Sequence, residues 1–242
     1  MSATINDFII SLHHATGIFI FWFNEHVLLD GCTVSNNFAE SIAGAIYSTS
    51  YSLSIVSSTV EDNVADHDYG GILIEDADEV LIRSTNVVNN TAVGNLIVVY
   101  AQAHQEGSGG LAVLHSSSVD IDDCIFDSNA AYLYGGALYM TYSDQVSVRN
   151  SVFRANRARF GGAMNLYRNT RVELISLRLE DNAAYADGGG LHIDETVGMF
   201  VSNCTFLRNK SRKGFGSAAW MIQSSSANYT ASTFAGNEAP FG

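Results

Sequence analysis

Asparagine returns along this chain as Asn37, Asn63, Asn90, Asn129, Asn156, Asn182, Asn209 and Asn237, with spacings of 26, 27, 39, 27, 26, 27 and 28 residues. A repeat of that period limits the fold severely, because a unit so short cannot bury an apolar face alone and must stack on its copies. Aligned on Asn, other columns fall into register. Two residues later stand Ala39, Ala65, Ala92, Ala131, Ala158, Ala184, Ser211 and Ala239, all small. Three residues earlier stand Val34, Val60, Val87, Phe126, Phe153, Leu179, Phe206 and Phe234. Ten and eight residues before each Asn come apolar pairs such as Val27 and Leu29, Val119 and Ile121, or Val172 and Leu174. Their polar neighbours give the period of two that marks a strand.

Most repeats also carry glycine 19 or 20 residues before the Asn, often doubled, as in Gly70-Gly71, Gly109-Gly110, Gly135-Gly136, Gly161-Gly162 and Gly188-Gly189. Glycine suits turns with positive φ and places where backbones come close, and an apolar run follows each pair. Each repeat therefore supplies two or three short strands, and the expected fold is all-β. It is a single right-handed parallel β-helix, a solenoid of about eight coils of 26–28 residues, spanning 1–242. At a strand spacing of ~4.8 Å, such a rod is roughly 40 Å long. Asn37, Asn63, Asn90, Asn129, Asn156, Asn182, Asn209 and Asn237 then form a structural ladder, each amide satisfying its counterpart in the next coil. The outlying spacing of 39 places an insertion between Asn90 and Gly109, expected as a protruding recognition loop at residues 95–108.

The motifs Gly-Gly-Ala-Leu at 135–138 and Gly-Gly-Ala-Met at 161–164, with Phe-x-x-Asn at 126–129, 153–156, 206–209 and 234–237, resemble the repeats of the chlamydial polymorphic outer-membrane proteins. Related right-handed β-helix repeats occur in many bacterial and protist surface proteins. The resemblance is strongest over 124–237 and implies a β-helical passenger displayed for adhesion at a cell surface, associated with the outer membrane if bacterial. No C-terminal barrel is recognisable, and Gly242 falls where the next Gly-Gly is due, so the chain reads as part of a longer solenoid.

Composition excludes some partners. The formal charge is -13, which argues against nucleic acid. The charge is also uneven: residues 1–148 hold 18 acids and one base, Arg83, whereas residues 149–242 hold 11 bases and 7 acids. An apolar stretch from Phe8 to Phe23 is interrupted by His13, His14, Thr16 and Gly17, and reads neither as an export signal nor as a transmembrane segment. Cys32, Cys124 and Cys204 share one column in coils three steps apart, too distant for a disulfide.

The β-helix fold also houses pectin-lyase-like enzymes, so a polysaccharide-acting lyase or glycoside hydrolase is the rival to a non-catalytic adhesin. Outward rows beyond the glycines read Tyr47, Ile74, Val113, Tyr139, Asn165, His192 and Thr49, Asp76, His115, Thr141, Tyr167, Asp194. His192, Asp194 and Glu195 are the one catalytic candidate, since a hydrolase of this kind needs paired carboxylates. Asp120, Asp122 and Asp123, or Glu75, Asp76, Asp78 and Glu79, are acidic enough for Ca²⁺ but match no calcium motif, and a solvated face is the simpler reading; no cofactor is expected. Tyr69, Tyr134, Phe160 and Phe215, each just before glycine, should stack along an edge as a cover or a sugar platform. Expected partners are a cell-surface glycan or protein receptor, or further β-helix segments. Sequons stand at Asn89, Asn203, Asn209 and Asn228, of which Asn209 belongs to the ladder.

Overall fold

A computed structural model describes residues 2–6, 9–10, 18–20, 25–94 and 107–241. Four parallel sheets, of eight, nine, nine and seven strands, run the length of a solenoid in which each strand pairs with its copy one coil away. One coil shows the pattern: Leu138–Thr141, Val146–Arg149, Val152–Arg154 and Arg157–Ala158 are successive strands, one in each sheet. A complete coil thus has four strands, not two or three. The fourth is only two residues long, too short to show a periodicity of its own, so its column reads as a turn in the sequence.

The interior is filled by the columns found in the sequence. Val119, Ile121 and Phe126 lie under Val146, Val148 and Phe153, and all are buried. The rings of Phe126 and Phe153 stack 4.7 Å apart and nearly parallel. Fully burying each such side chain stabilises the stack by about 1.5–3 kcal/mol.

Corners are built in two steps. A residue in the left-handed region turns the chain, and the next residue turns a small polar group into the interior. Ala155 (φ 55) precedes Asn156, and Asn150 (φ 48) precedes Ser151. At the Asn corner, each Oδ1 accepts from both the backbone N–H and the side-chain amide of the Asn one coil earlier. For Asn156 the donors are Asn129 N at 2.9 Å and Nδ2 at 3.1 Å. Asn156 Nδ2 in turn donates to the Phe126 carbonyl at 3.0 Å. The same pattern holds at Asn63, whose Nδ2 donates to the Val34 carbonyl at 2.9 Å, and at Asn182, whose Nδ2 donates to the Phe153 carbonyl at 2.9 Å. The ladder runs unbroken from Asn37 through Asn63, Asn90, Asn129, Asn156, Asn182 and Asn209 to Asn237, across the 39-residue spacing. All but the last of these are buried.

The structure holds two further polar columns, of which the sequence marks only Cys32, Cys124 and Cys204. Ser116, Ser143, Asn169, Thr196 and Ser224 hand hydrogen bonds from coil to coil at a second corner. Cys32, Ser58, Thr85, Cys124, Ser151, Cys204 and Ser232 occupy a third, interrupted by the buried Leu177, where the thiols donate to backbone carbonyls. All three cysteines are free and buried, and burial pushes the Cys124 thiol up to about 11.

Two expectations need correction. Residues 95–106 of the inserted segment lie outside the described residues, but Gly107 and Ser108 belong to the wall. Ser108 is fully buried and donates to the Gly135 carbonyl at 3.0 Å, so the insertion is shorter than 95–108. The outward rows also slip by one residue in the earlier coils. Leu73 and Ala112, not Ile74 and Val113, stack on Tyr139, and Glu75 and Leu114, not Asp76 and His115, stack on Thr141. The Gly-Gly pairs do not mark equivalent positions: Leu111, directly after Gly109-Gly110, pairs with Leu138, two residues beyond Gly135-Gly136. Among the described residues no helix is long and apolar enough to cross a membrane. Most of Phe8–Phe23 lies outside the described residues.

Candidate functional site: a tyrosine-lined groove

The sheet that follows the glycines is covered on both faces along much of its length. Its outer face carries Leu73, Ala112, Leu114 and Tyr139 in one apolar cluster with Tyr69, and Tyr47, Tyr134 and Tyr167 pack against it. Toward the later coils this cover opens into a groove of about 280 Å³ lined by Tyr134, Tyr139, Asn165, Tyr167, His192 and Asp194. Parallel register sets the arrangement: Tyr139, Asn165 and His192 form one outward column, and Thr141, Tyr167 and Asp194 the next.

Asn165 Nδ2 donates to His192 Nδ1 at 3.1 Å, which leaves the imidazole proton on Nε2. His192 is 8% exposed, and this burial lowers its pKa to about 4, so the ring is neutral near pH 7. Phe160 packs its ring 5.5 Å from the imidazole, and Tyr134 stacks between Tyr139 and Phe160 at 5.5 and 5.7 Å. The aromatic edge inferred from residues before glycine is therefore present here. Burial, and secondarily the charge of Glu195, raise the Asp194 carboxyl above its ordinary range. Its Oδ1 is buried without a hydrogen-bond partner.

Glu195 does not join this groove. It sits at the corner with φ 48, and Arg168 grips it through Nε at 2.7 Å and Nη2 at 3.2 Å. Arg168 also donates to the Tyr142 hydroxyl at 2.6 Å and lies over the Tyr167 ring. The positions stacked on Asp194 are Tyr167 and Ile222, so no second carboxylate meets it from an adjacent coil. The structure brings His192 and Asp194 together and separates Glu195 from both. Asn165 and the three tyrosines complete the groove, and the outward rows and pre-glycine aromatics were the signal for them.

Most of the acidic candidates face polar or cationic side chains of neighbouring coils. Asp120 accepts from Arg149 at 2.7 Å and lies 3.6 Å from Arg83; Asp122 accepts from Asn150 at 2.9 Å, and Asp123 from Ser84 at 3.0 Å. Tyr47 donates to Glu75 at 2.5 Å, and Asp76 lies 3.8 Å from His115. Among the described residues no three His, Cys, Asp or Glu side chains are grouped to hold a metal. Asn209, the sequon inside the ladder, is fully buried.

The family described as "Right handed beta helix region" matches residues 1–104 and 99–240, nearly the whole chain. The chain is a right-handed β-helix protein. This β-helix is 26% identical over 171 residues to "Probable autotransporter YfaL" of Escherichia coli (strain K12), which covers 62% of the chain. The β-helix spans 13% of that relative's length. No solved structure matches it.

Proposed function

We propose that the protein is a non-catalytic interaction scaffold of the adhesin type, displayed at a cell surface or secreted, which recognises a cell-surface glycan or protein receptor. The observation that carries this reading is the groove itself. The half-buried ring of Tyr167, beside the stacked Tyr134 and Tyr139, supplies an apolar surface against which a sugar ring packs. His192 Nε2 offers a donor and the buried Asp194 Oδ1 an acceptor that lacks a partner. Either group is of a kind that pairs with a ligand hydroxyl, which both accepts and donates. Similarity to an autotransporter supports the surface location.

A polysaccharide-acting lyase or glycoside hydrolase is the second reading, favoured by one observation: a carboxyl raised by burial suits a general acid. The missing partner carboxylate counts against it, because both routes of glycoside hydrolysis use a pair. An unbiased glycan array and host-cell binding screen tests the proposal. Binding that falls in Tyr167→Ala and Asp194→Asn supports it, and an array with no binder overturns it.

A further inference from the structure

The bases of the later coils fall into two groups. Arg149, Arg154, Arg168, Arg171, Arg178, Arg208 and Lys210 each face a carboxylate, mostly one coil away. Arg157, Arg159, Arg212 and Lys213 are exposed and have no carboxylate within ion-pair distance among the described residues. All four lie on or beside one wall, the sheet of two-residue strands that follows the Asn ladder.

That wall has an unusual surface. Arg157 stacks between Ala130 and Ala183, and the column two residues further on reads Tyr132, Arg159, Tyr185 and Arg212. Ala130, Ala131, Tyr132, Arg157, Ala158, Arg159 and Tyr185 line a groove of about 520 Å³. Tyr132 and Tyr185 are 43% and 49% exposed, so both rings stand at its margin rather than in the core. Arg159 and Lys213 lie over the rings of Phe160 and Tyr185. In the earlier coils the same column carries Glu40 and Asp66, so the cations occupy only one end of an acidic molecule.

We infer that this wall binds an extended acidic glycan bearing sulfate or carboxylate groups, with Arg157 and Arg159 as its principal anion contacts. The alanine floor lets a chain lie close to the backbone, and the tyrosines give its sugar rings apolar faces. Guanidinium groups are planar forks that match sulfate and carboxylate oxygens. Arg159 and Arg212 are two coils apart, ~10 Å along the rod. That step lets a repeating polyanion laid along the axis meet successive cations. A duplex or an anionic membrane would need a broader cationic face than four side chains on a chain of charge -13. The wall is next to the His192 groove but shares no lining residue with it, so either reading can fail without the other.

The test is binding of the full chain to heparin, polygalacturonate, neutral dextran, duplex DNA and phosphatidylserine vesicles across a salt series. Retention on heparin alone assigns sulfate as the recognised group, and retention on polygalacturonate assigns carboxylate; either supports the inference. Binding should weaken with salt and fall about tenfold or more in the Arg157→Gln/Arg159→Gln double variant. It should stay within about twofold in Arg154→Gln/Arg171→Gln, which removes the same formal charge from ion-paired positions. Circular dichroism checks that both variants remain folded. Equal losses in the two double variants, no binding to either acidic glycan, or tighter binding to dextran, DNA or vesicles would overturn it.

Discussion

The side-chain amide of Asn90 donates to Oδ1 of Asn129 at 3.1 Å, and the Asn90 backbone N–H reaches the same oxygen at 3.0 Å, although 39 residues separate the two. An insertion of any length leaves this pairing intact if its ends return to the wall, so the ladder, not chain length, sets the register. Removing an interior rung strands several buried groups at once. Asn156→Ala leaves the amide groups of Asn129 without their acceptor and the Phe126 carbonyl without its donor. It should cost about 3–5 kcal/mol, at 1–3 kcal/mol per unsatisfied group. Asn237→Ala, at the half-buried last rung, should cost ~1 kcal/mol because water replaces the lost bonds. Urea denaturation of both variants measures the difference.

Corner geometry gives a prediction of opposite sign at two small residues. Ala155 sits at φ 55, where a Cβ is strained, so Ala155→Gly should stabilise the fold by up to ~1 kcal/mol. Gly136 is tight for a different reason: a Cβ there would meet the carbonyl oxygen of Gly162 and the backbone of Arg157 in the next coil. Gly136→Ala should therefore cost more than ~2 kcal/mol, as overpacking does. Thermal melting of the two variants should shift in opposite directions.

Much of the fold was legible because stacked positions face identical surroundings, so the sequence repeats its demands. The Asn column, the Val27 and Leu29 type pairs and the Phe126 to Phe153 column were readable for that reason. The ladder through Ser143, Asn169 and Thr196 was not, since any side chain that can offer a short polar acceptor fills the site and no single letter recurs. The glycine pairs misled at Gly109-Gly110. One column there needs glycine because backbones from adjacent coils nearly touch, while Gly135 needs it for a φ of 52, so the same letters mark different positions. At the candidate site, sequence adjacency joined Glu195 to Asp194; the positive φ of Glu195 turns its side chain to Arg168 instead.

The buried imidazole of His192 ties stability to pH. Its pKa is about 4 in the folded chain against 6.5 when unfolded, so below 6.5 the unfolded state binds the additional proton. The stabilisation is complete above pH ~6.5 and is lost as pH falls from there towards 4, to a total of up to ~3 kcal/mol. Denaturation midpoints recorded between pH 7 and 4 should show this loss in the wild type and a smaller one in His192→Gln. Identical pH profiles for the two would place the imidazole in water.

The most direct test of the central claim, recognition at the Tyr134–Tyr139–Tyr167 groove without chemistry, is to incubate the chain with a panel of polysaccharides and follow retention and polymer length together. The account predicts that at least one polysaccharide is retained at unchanged length, and that Tyr167→Ala and Asp194→Asn release it. Shortening of any polymer by the wild type that disappears in Asp194→Asn would contradict the account and make the groove an active site.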